Sequence, residues 1–257
     1  MLGTSNRNRA ITVIIPSYDD RYRLYFTLRE IAKMVSDAHW GTTLTEIIVV
    51  EDGRATECGT TFSEMWTTVL SSVPNVHIHT LPHKGKGYAI RHGVAHASGD
   101  LLLLLDADAA LSIPSPELLQ DRLIQYINTM ESEGADIIIG SRRFHRYREN
   151  VSKSTRYISI LSLPILRALN LGYDLTHGMK LYTVQAGRKI FSRAVVNNFT
   201  FDMEALYLAR KLGYSVSAVF GDWLYAPGST VRSVIDYPKA MLSILRVLLR
   251  DRFGRYE

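Results

Sequence analysis

The chain has 257 residues, 46% hydrophobic and 21% charged, the balance of a soluble globular protein large enough for one α/β domain or two small ones. Its single cysteine, Cys58, excludes an intramolecular disulfide and any multi-cysteine metal cluster. A net charge of +5 and a pI near 9.3 suit an anionic partner: nucleic acid, a membrane surface or a phosphorylated small molecule.

The segment from Met1 to Arg9 is short and polar and lacks a signal-peptide hydrophobic stretch. No apolar run approaches the roughly 20 residues that span a bilayer, so membrane contact is expected to be peripheral. Ile11 to Ile15 is β-rich and reads as a first strand, closed by Pro16 and a loop, Ser17 to Asp20. From Arg21 to Ser36, Leu24, Leu28, Ile31 and Val35 recur at helical spacing. Ile47 to Val50 is a second strand, followed at once by Glu51, Asp52 and Gly53. Phe62 to Leu70 reads as a helix, Val76 to His79 as a strand and Tyr88 to Ala97 as a helix. Lys84-Gly85-Lys86-Gly87 precedes that helix. It offers two cations and backbone N–H groups suited to phosphate, but has neither Walker A nor dinucleotide-fingerprint spacing.

Five leucines, Leu101 to Leu105, then make a strand suited to burial on both faces. Asp106 and Asp108 follow directly. In extended backbone, residues two apart point the same way, so both carboxylates can reach one divalent ion. The competing reading of an isolated Asp-x-Asp is capping of the next turn. A helix from about Pro116 to Glu133 leads to a fifth strand at Ile137 to Ile139, ended by Gly140-Ser141-Arg142. The alternation predicts a mostly parallel, Rossmann-like sheet flanked by helices, with its strand ends on one edge. Three of those ends carry acids, which points to a site rather than to capping alone.

Beyond Gly140 the pattern loosens into a mixed region. Ser154 to Leu169 reads as a helix interrupted by Pro164, and Tyr173 to Tyr182 as loop and short strand. Phe201 to Leu212 is a helix with Asp202 and Glu204 in its first turn, where capping competes with a role as general base. Tyr214 to Phe220 alternates as a strand. Pro238 to Leu249 is a final helix, with Arg246, Arg250 and Arg252 among leucines from Met241 onward. Such a helix suits either a membrane interface or packing on the sheet.

Pro16-Ser17-Tyr18-Asp19-Asp20, Glu51-Asp52-Gly53, Gly85-Lys86-Gly87, Asp106-Ala107-Asp108, Gly140-Ser141-Arg142, Asp174-x-Thr176-x-Gly178-x-Lys180, Phe201-Asp202-x-Glu204 and Gly228-Ser229 occur in the order found in family 2 glycosyltransferases. From about Ile11 to Arg250 the chain resembles the dolichyl-phosphate glucosyltransferases and mannosyltransferases of that family. The resemblance implies a GT-A fold in a single domain over 1–257. Residues 10–140 would form the nucleotide-sugar half, and 141–257 the acceptor half with membrane-interface helices. It implies inverting transfer of a hexose from a nucleoside diphosphate sugar to a polyprenyl phosphate. On the same basis Pro16, Tyr18 and Asp20 line the nucleotide pocket, and Asp52 meets base or ribose with Glu51 beside it. Lys86 lies near the donor, and Asp106 and Asp108 hold Mg²⁺ or Mn²⁺ on the diphosphate. Arg142 and Arg156 meet phosphate, and Asp202 and Glu204 lie at the transfer site.

Ala109-Ala110-Leu111 after the aspartates is closer to the glucosyl enzymes than to the mannosyl ones, which favours UDP-glucose over GDP-mannose. Gly228-Ser229-Thr230 lacks the lysine usual in the family, and Arg232 stands near enough to replace that phosphate contact. The expected location is cytoplasmic, peripheral on the cytoplasmic face of a membrane. Alternatives are a GDP-mannose-dependent polyprenyl-phosphate mannosyltransferase, the same fold acting on a soluble hydroxyl acceptor, and a non-catalytic nucleotide-binding module. Nucleic acid is not the expected partner, because aromatics do not interleave with the basic clusters.

Overall fold

The computed structural model describes residues 9–36, 43–53, 60–73, 75–112, 117–142, 177–221 and 233–256. In chain order the elements are β1 (Ile11–Ser17), α1 (Arg21–Ser36), β2 (Leu44–Asp52), α2 (Thr60–Ser72), β3 (Val76–Leu81), α3 (Lys86–His96), β4 (Leu101–Leu105), the short α4 (Ala109–Ser112), α5 (Glu117–Ser132), β5 (Ile137–Arg142), β6 (Met179–Thr183), α6 (Val184–Arg193), α7 (Phe201–Lys211), β7 (Val216–Gly221) and α8 (Ser233–Arg252).

The strands form one sheet of order β3-β2-β1-β4-β6-β5-β7. Every pairing is parallel except those of β6, which runs antiparallel between β4 and β5. The leucine strand shows why this sheet is buried on both sides. Leu101, Leu103 and Leu105 enter one core, with Leu24, Leu28 and Ile31 of α1 and Leu119, Leu123 and Tyr126 of α5. Leu102 and Leu104 enter the other, with Ala89 and Ile90 of α3, Ile190 of α6, Leu206 of α7 and Ile244 and Val247 of α8. Period-two alternation thus divides one apolar run between two layers.

β1 extends through Pro16 to Ser17. It pairs with β2 as far as Ser17 but with β4 only as far as Ile14, so Pro16 lies where pairing to β4 has ended and its missing N–H leaves no gap there.

Three helices depart from the sequence reading, among them the short α4, for which no helix is expected between Asp108 and Pro116. α6 was not anticipated, although Thr183 caps it by accepting from the Ala186 N–H, and its buried Ala186, Gly187, Ile190 and Phe191 share one helical face. α8 begins at Ser233, five residues before Pro238. The expected helix from Ser154 to Leu169 lies outside the described residues.

Candidate active site

Parallel pairing brings the carboxyl ends of β2, β1 and β4 to one edge of the sheet, and β5 ends there too because β6 is antiparallel to both β4 and β5. Antiparallel β6 contributes its beginning there, because Met179 pairs with Leu105. Asp106 therefore meets His177, Gly178 and Lys180 from a distant part of the chain. The Asp106 N–H donates to the Gly178 carbonyl at 2.8 Å. A Cβ on Gly178 would stand 2.9 Å from Asp106 Oδ2, so the close approach requires glycine. A Cβ on Gly140 would stand 2.1 Å from the buried His177 ring.

Lys86, in the first turn of α3, donates to Asp106 Oδ1 at 2.6 Å. Its ammonium is held above its ordinary value: burial opposes this, but the Asp106 and Asp202 carboxylates outweigh it. Asp108 faces Arg23 at 3.6 Å, and Arg23 also binds Asp20 at 2.7 Å. Burial first, and the Asp106 charge second, push the Asp108 carboxyl above its ordinary value. The turn that carries both aspartates is held from α1. The buried Thr27 hydroxyl donates to the Ala107 carbonyl at 2.8 Å and accepts from the Ala110 N–H at 3.2 Å.

Asp202, at the start of α7, is buried beside this group. Lys180 Nζ lies 3.0 Å from its Oδ2, whereas its Oδ1 is buried with no hydrogen-bond partner among the described residues. Burial raises its carboxyl, Lys180 and Lys86 pull it back, and Asp106 raises it further. Lys180 also donates to the His177 carbonyl at 2.7 Å. Asp106, Asp108, Asp202, Lys86, Lys180 and Arg23 thus form one electrostatic cluster drawn from five elements or their adjoining turns.

Tyr18 is 53% exposed and stacks on His83 with ring centroids 4.4 Å apart. Gly53, at φ +113°, lies beneath the Tyr18 ring. This is an accessible aromatic face beside the acids, of the kind a nucleobase stacks on.

Several sequence expectations need correction. Glu204 is not at the transfer site. It is fully buried, accepting from the N–H groups of Val195 and Val196 and from the Tyr256 hydroxyl. Asp202 and Glu204 are two helical positions apart, about 200° around the axis, so they face different surroundings. Asp52 is not free to meet a base or ribose. Its Oδ1 accepts from the Lys84 N–H, and its Oδ2 from the Gly85 N–H beside His83 Nδ1. Those N–H groups are consequently no phosphate cradle, and the Gly87 N–H is taken by the Asn197 carbonyl. Glu51 is likewise engaged, with Arg21 at 2.9 Å and Thr80 at 3.1 Å. Pro16 is buried within β1. Arg142 ends β5 on the site edge, paired through its backbone with Gly221. Arg156 and Arg232, with Asp174, Thr176, Gly228 and Ser229, lie outside the described residues.

Sequence reasoning named neither Thr27 nor Arg23, and gave Lys180 no task of its own. A lysine in an alternating strand reads as a solvated position, and only the antiparallel insertion of β6 places it against Asp202.

The family model described as "Glycosyl transferase family 2" matches residues 12–196. The chain belongs to glycosyltransferase family 2. A dolichyl-phosphate beta-glucosyltransferase of Drosophila melanogaster is 31% identical over 255 residues, covering 96% of this chain and 77% of that one. The enzyme of the same name from Homo sapiens is 27% identical, covering 97% and 78%. Among solved structures, glucosyl-3-phosphoglycerate synthase of Mycobacterium tuberculosis superposes with a TM-score of 0.65 at 16% identity, covering 93% of this chain and 80% of that one. It has also been solved with Mn²⁺ and UDP-glucose. Mannosyl-3-phosphoglycerate synthase of Rubrobacter xylanophilus superposes with a TM-score of 0.66 at 15% identity, covering 96% and 75%. The fold is therefore GT-A, and the sheet edge described above is the candidate centre of a glycosyltransferase.

Proposed function

We propose that this family 2 enzyme transfers glucose, with inversion, from UDP-glucose to a polyprenyl phosphate of the dolichyl type. We read the chain as one domain, with a donor half at 10–140 and an acceptor half at 141–257. The observation that carries the reading is the meeting of Asp106 and Asp108 with Lys86, Lys180 and Asp202 at the strand ends. The curated relatives carry that activity in their names.

The donor set fits a hard divalent cation. Two carboxylates leave one turn, one of them is raised by burial beside the other, and Asp202 Oδ1 is buried without a partner among the described residues. Asp106 and Asp108 would hold Mg²⁺ or Mn²⁺. When bound, the cation supplies Lewis-acid neutralisation of the leaving diphosphate. Lys86 and Arg23 present further positive charge to phosphate oxygens, and the Tyr18 face receives the uracil. Lys180 fixes Asp202 beside the cleft. A lipid phosphate is already ionised at neutral pH, so as the nucleophile it needs positioning rather than deprotonation. Arg142 and Arg156 are assigned to that phosphate, and Arg232 to the position of the missing Gly-Ser-Lys lysine.

We place the enzyme at the cytoplasmic face of a membrane, and the outer side of α8 supports the peripheral contact. Ile244 and Val247 pack inward, whereas Leu242, Leu245, Leu249 and Phe253 remain exposed among Arg246, Arg250 and Arg252. A cavity of about 530 Å³ opens between α8 and the 195–198 loop, lined by Lys84, Asn198, Arg246 and Arg250. Among the described residues no helix is long and apolar enough to cross a membrane.

A second reading keeps the donor and replaces the acceptor with a soluble hydroxyl compound. It is favoured by the raised carboxyl and unpartnered Oδ1 of Asp202, which suit a general base. Radiolabelled UDP-glucose, Mn²⁺ and either polyprenyl phosphate in detergent or soluble sugar acceptors separate the two. The expected product is organic-extractable and released by mild acid. Transfer to soluble acceptors alone would favour the second reading.

A further inference from the structure

Towards the C-terminal end of α3, away from Lys86, three imidazoles gather. His79 projects from the edge strand β3, and His92 and His96 lie one turn apart on α3. One ligand nitrogen from each lies within 4.8 Å of the others, and the ring centroids are 4.1 to 5.1 Å apart.

All three rings are held by hydrogen bonds. His79 Nδ1 and His92 Nε2 lie 2.7 Å apart and share one proton, which a cation would have to displace, moving the two nitrogens slightly apart as it bound them both. His96 Nδ1 lies 2.8 Å from the His92 carbonyl oxygen. A carbonyl only accepts, so that nitrogen holds the hydrogen and Nε2 of His96 keeps its lone pair. A ring N–H donated to a backbone carbonyl is the feature that orients metal-ligating histidines. The pair at i and i+4 on one helix face, completed by a residue from a neighbouring strand, supplies three of the four positions of a tetrahedral centre. The partial exposure of the cluster admits water to the fourth.

We propose that His79, His92 and His96 form a binding site for a zinc-class divalent cation, distinct from the carboxylate cleft. Its chemistry separates the two sites. Imidazole nitrogen selects late first-row metals, whereas the Asp106/Asp108 oxygens suit Mg²⁺ or Mn²⁺. The cation would clip β3, which among the described residues pairs only with β2, to α3. Lys86 begins that helix, six residues before His92 and ten before His96, or about 9 and 15 Å along the axis. A metal there would anchor the helix that presents Lys86 to Asp106 without entering the reaction.

The test uses full-length, tag-free protein stripped of metal and then titrated with Zn²⁺ in excess Mg²⁺. The expected result is one equivalent of Zn²⁺ bound per chain and a melting temperature raised by about 5 °C. Co²⁺ should give the absorption of a tetrahedral nitrogen site. Asp108→Asn should retain all three signals, and His96→Gln and His92→Gln should lose them. His96 is exposed, so its replacement leaves the fold intact for the comparison. Absence of Zn²⁺ binding in the wild type would overturn the proposal. So would equal binding in His96→Gln, or loss of binding in Asp108→Asn.

Discussion

Lys180 Nζ and Asp202 Oδ2 stand 3.0 Å apart, with side chains only 5% and 10% exposed. The pair joins β6 to α7 beside the Asp106 turn. Lys180→Met removes the counter-charge and leaves a buried carboxylate unpaired, at a cost of about 3 kcal/mol. Because the folded-state carboxyl is already raised, protonation favours the fold. The cost should therefore be small near the ordinary carboxyl value of 3.8 and grow as pH rises through the raised value. Urea unfolding of Lys180→Met and wild type across that range checks it. A penalty that grew towards acid would contradict the pairing.

Asp108→Asn should lower turnover about a thousandfold while leaving the melting temperature equal to or above that of the wild type. The partly buried charge it removes lies beside Asp106, so its loss relieves repulsion. In the wild type, donor binding with Mn²⁺ should weaken as pH falls through the raised Asp108 value, because the ligand must be deprotonated. Full activity in Asp108→Asn would refute the metal role.

Glu204→Gln should reduce stability by about 2 kcal/mol, since it disrupts acceptors for Val195, Val196 and Tyr256. Turnover per folded molecule, assayed well below the melting temperature, should persist. Lost turnover at unchanged stability would return Glu204 to the chemistry.

Gly178→Ala should weaken Mn²⁺-dependent donor binding about tenfold, because its Cβ would press on Asp106 Oδ2. Calorimetry measures this. Unchanged affinity would mean that the Asp106 position does not matter to the donor.

Leu245→Glu and Leu249→Glu, both on the exposed face of α8, should abolish sedimentation with anionic vesicles without lowering the melting temperature. Undiminished sedimentation would remove α8 from the membrane account.

The framework of the site was legible where the physics is local. Apolar runs of Ile, Val and Leu followed at once by acids mark buried strands and the edge at which they end. Asp106 and Asp108 came from that pattern, as did the grouping with Glu51 and Asp52. What depends on tertiary contact was hidden. Glu51 and Asp52 sit at the edge, but Arg21, Thr80 and the 83–85 loop engage their carboxylates. Asp202 and Glu204 look equivalent in sequence, yet helical geometry turns one to the cleft and the other to the 194–198 loop. Lys180 acquires its role only because β6 runs backwards between β4 and β5, and short alternating segments do not encode direction. The histidines at 79, 92 and 96 converge only once α3 packs beside β3.

The central claim is that a cation joins the Asp106/Asp108 turn to the donor diphosphate. Its most direct measurement is calorimetric titration of UDP-glucose into wild type and Asp108→Asn, each with Mn²⁺ and with EDTA. Binding should occur in wild type with Mn²⁺ and disappear in EDTA and in the variant. Equal affinity with and without the metal, or an unimpaired variant, would contradict the account.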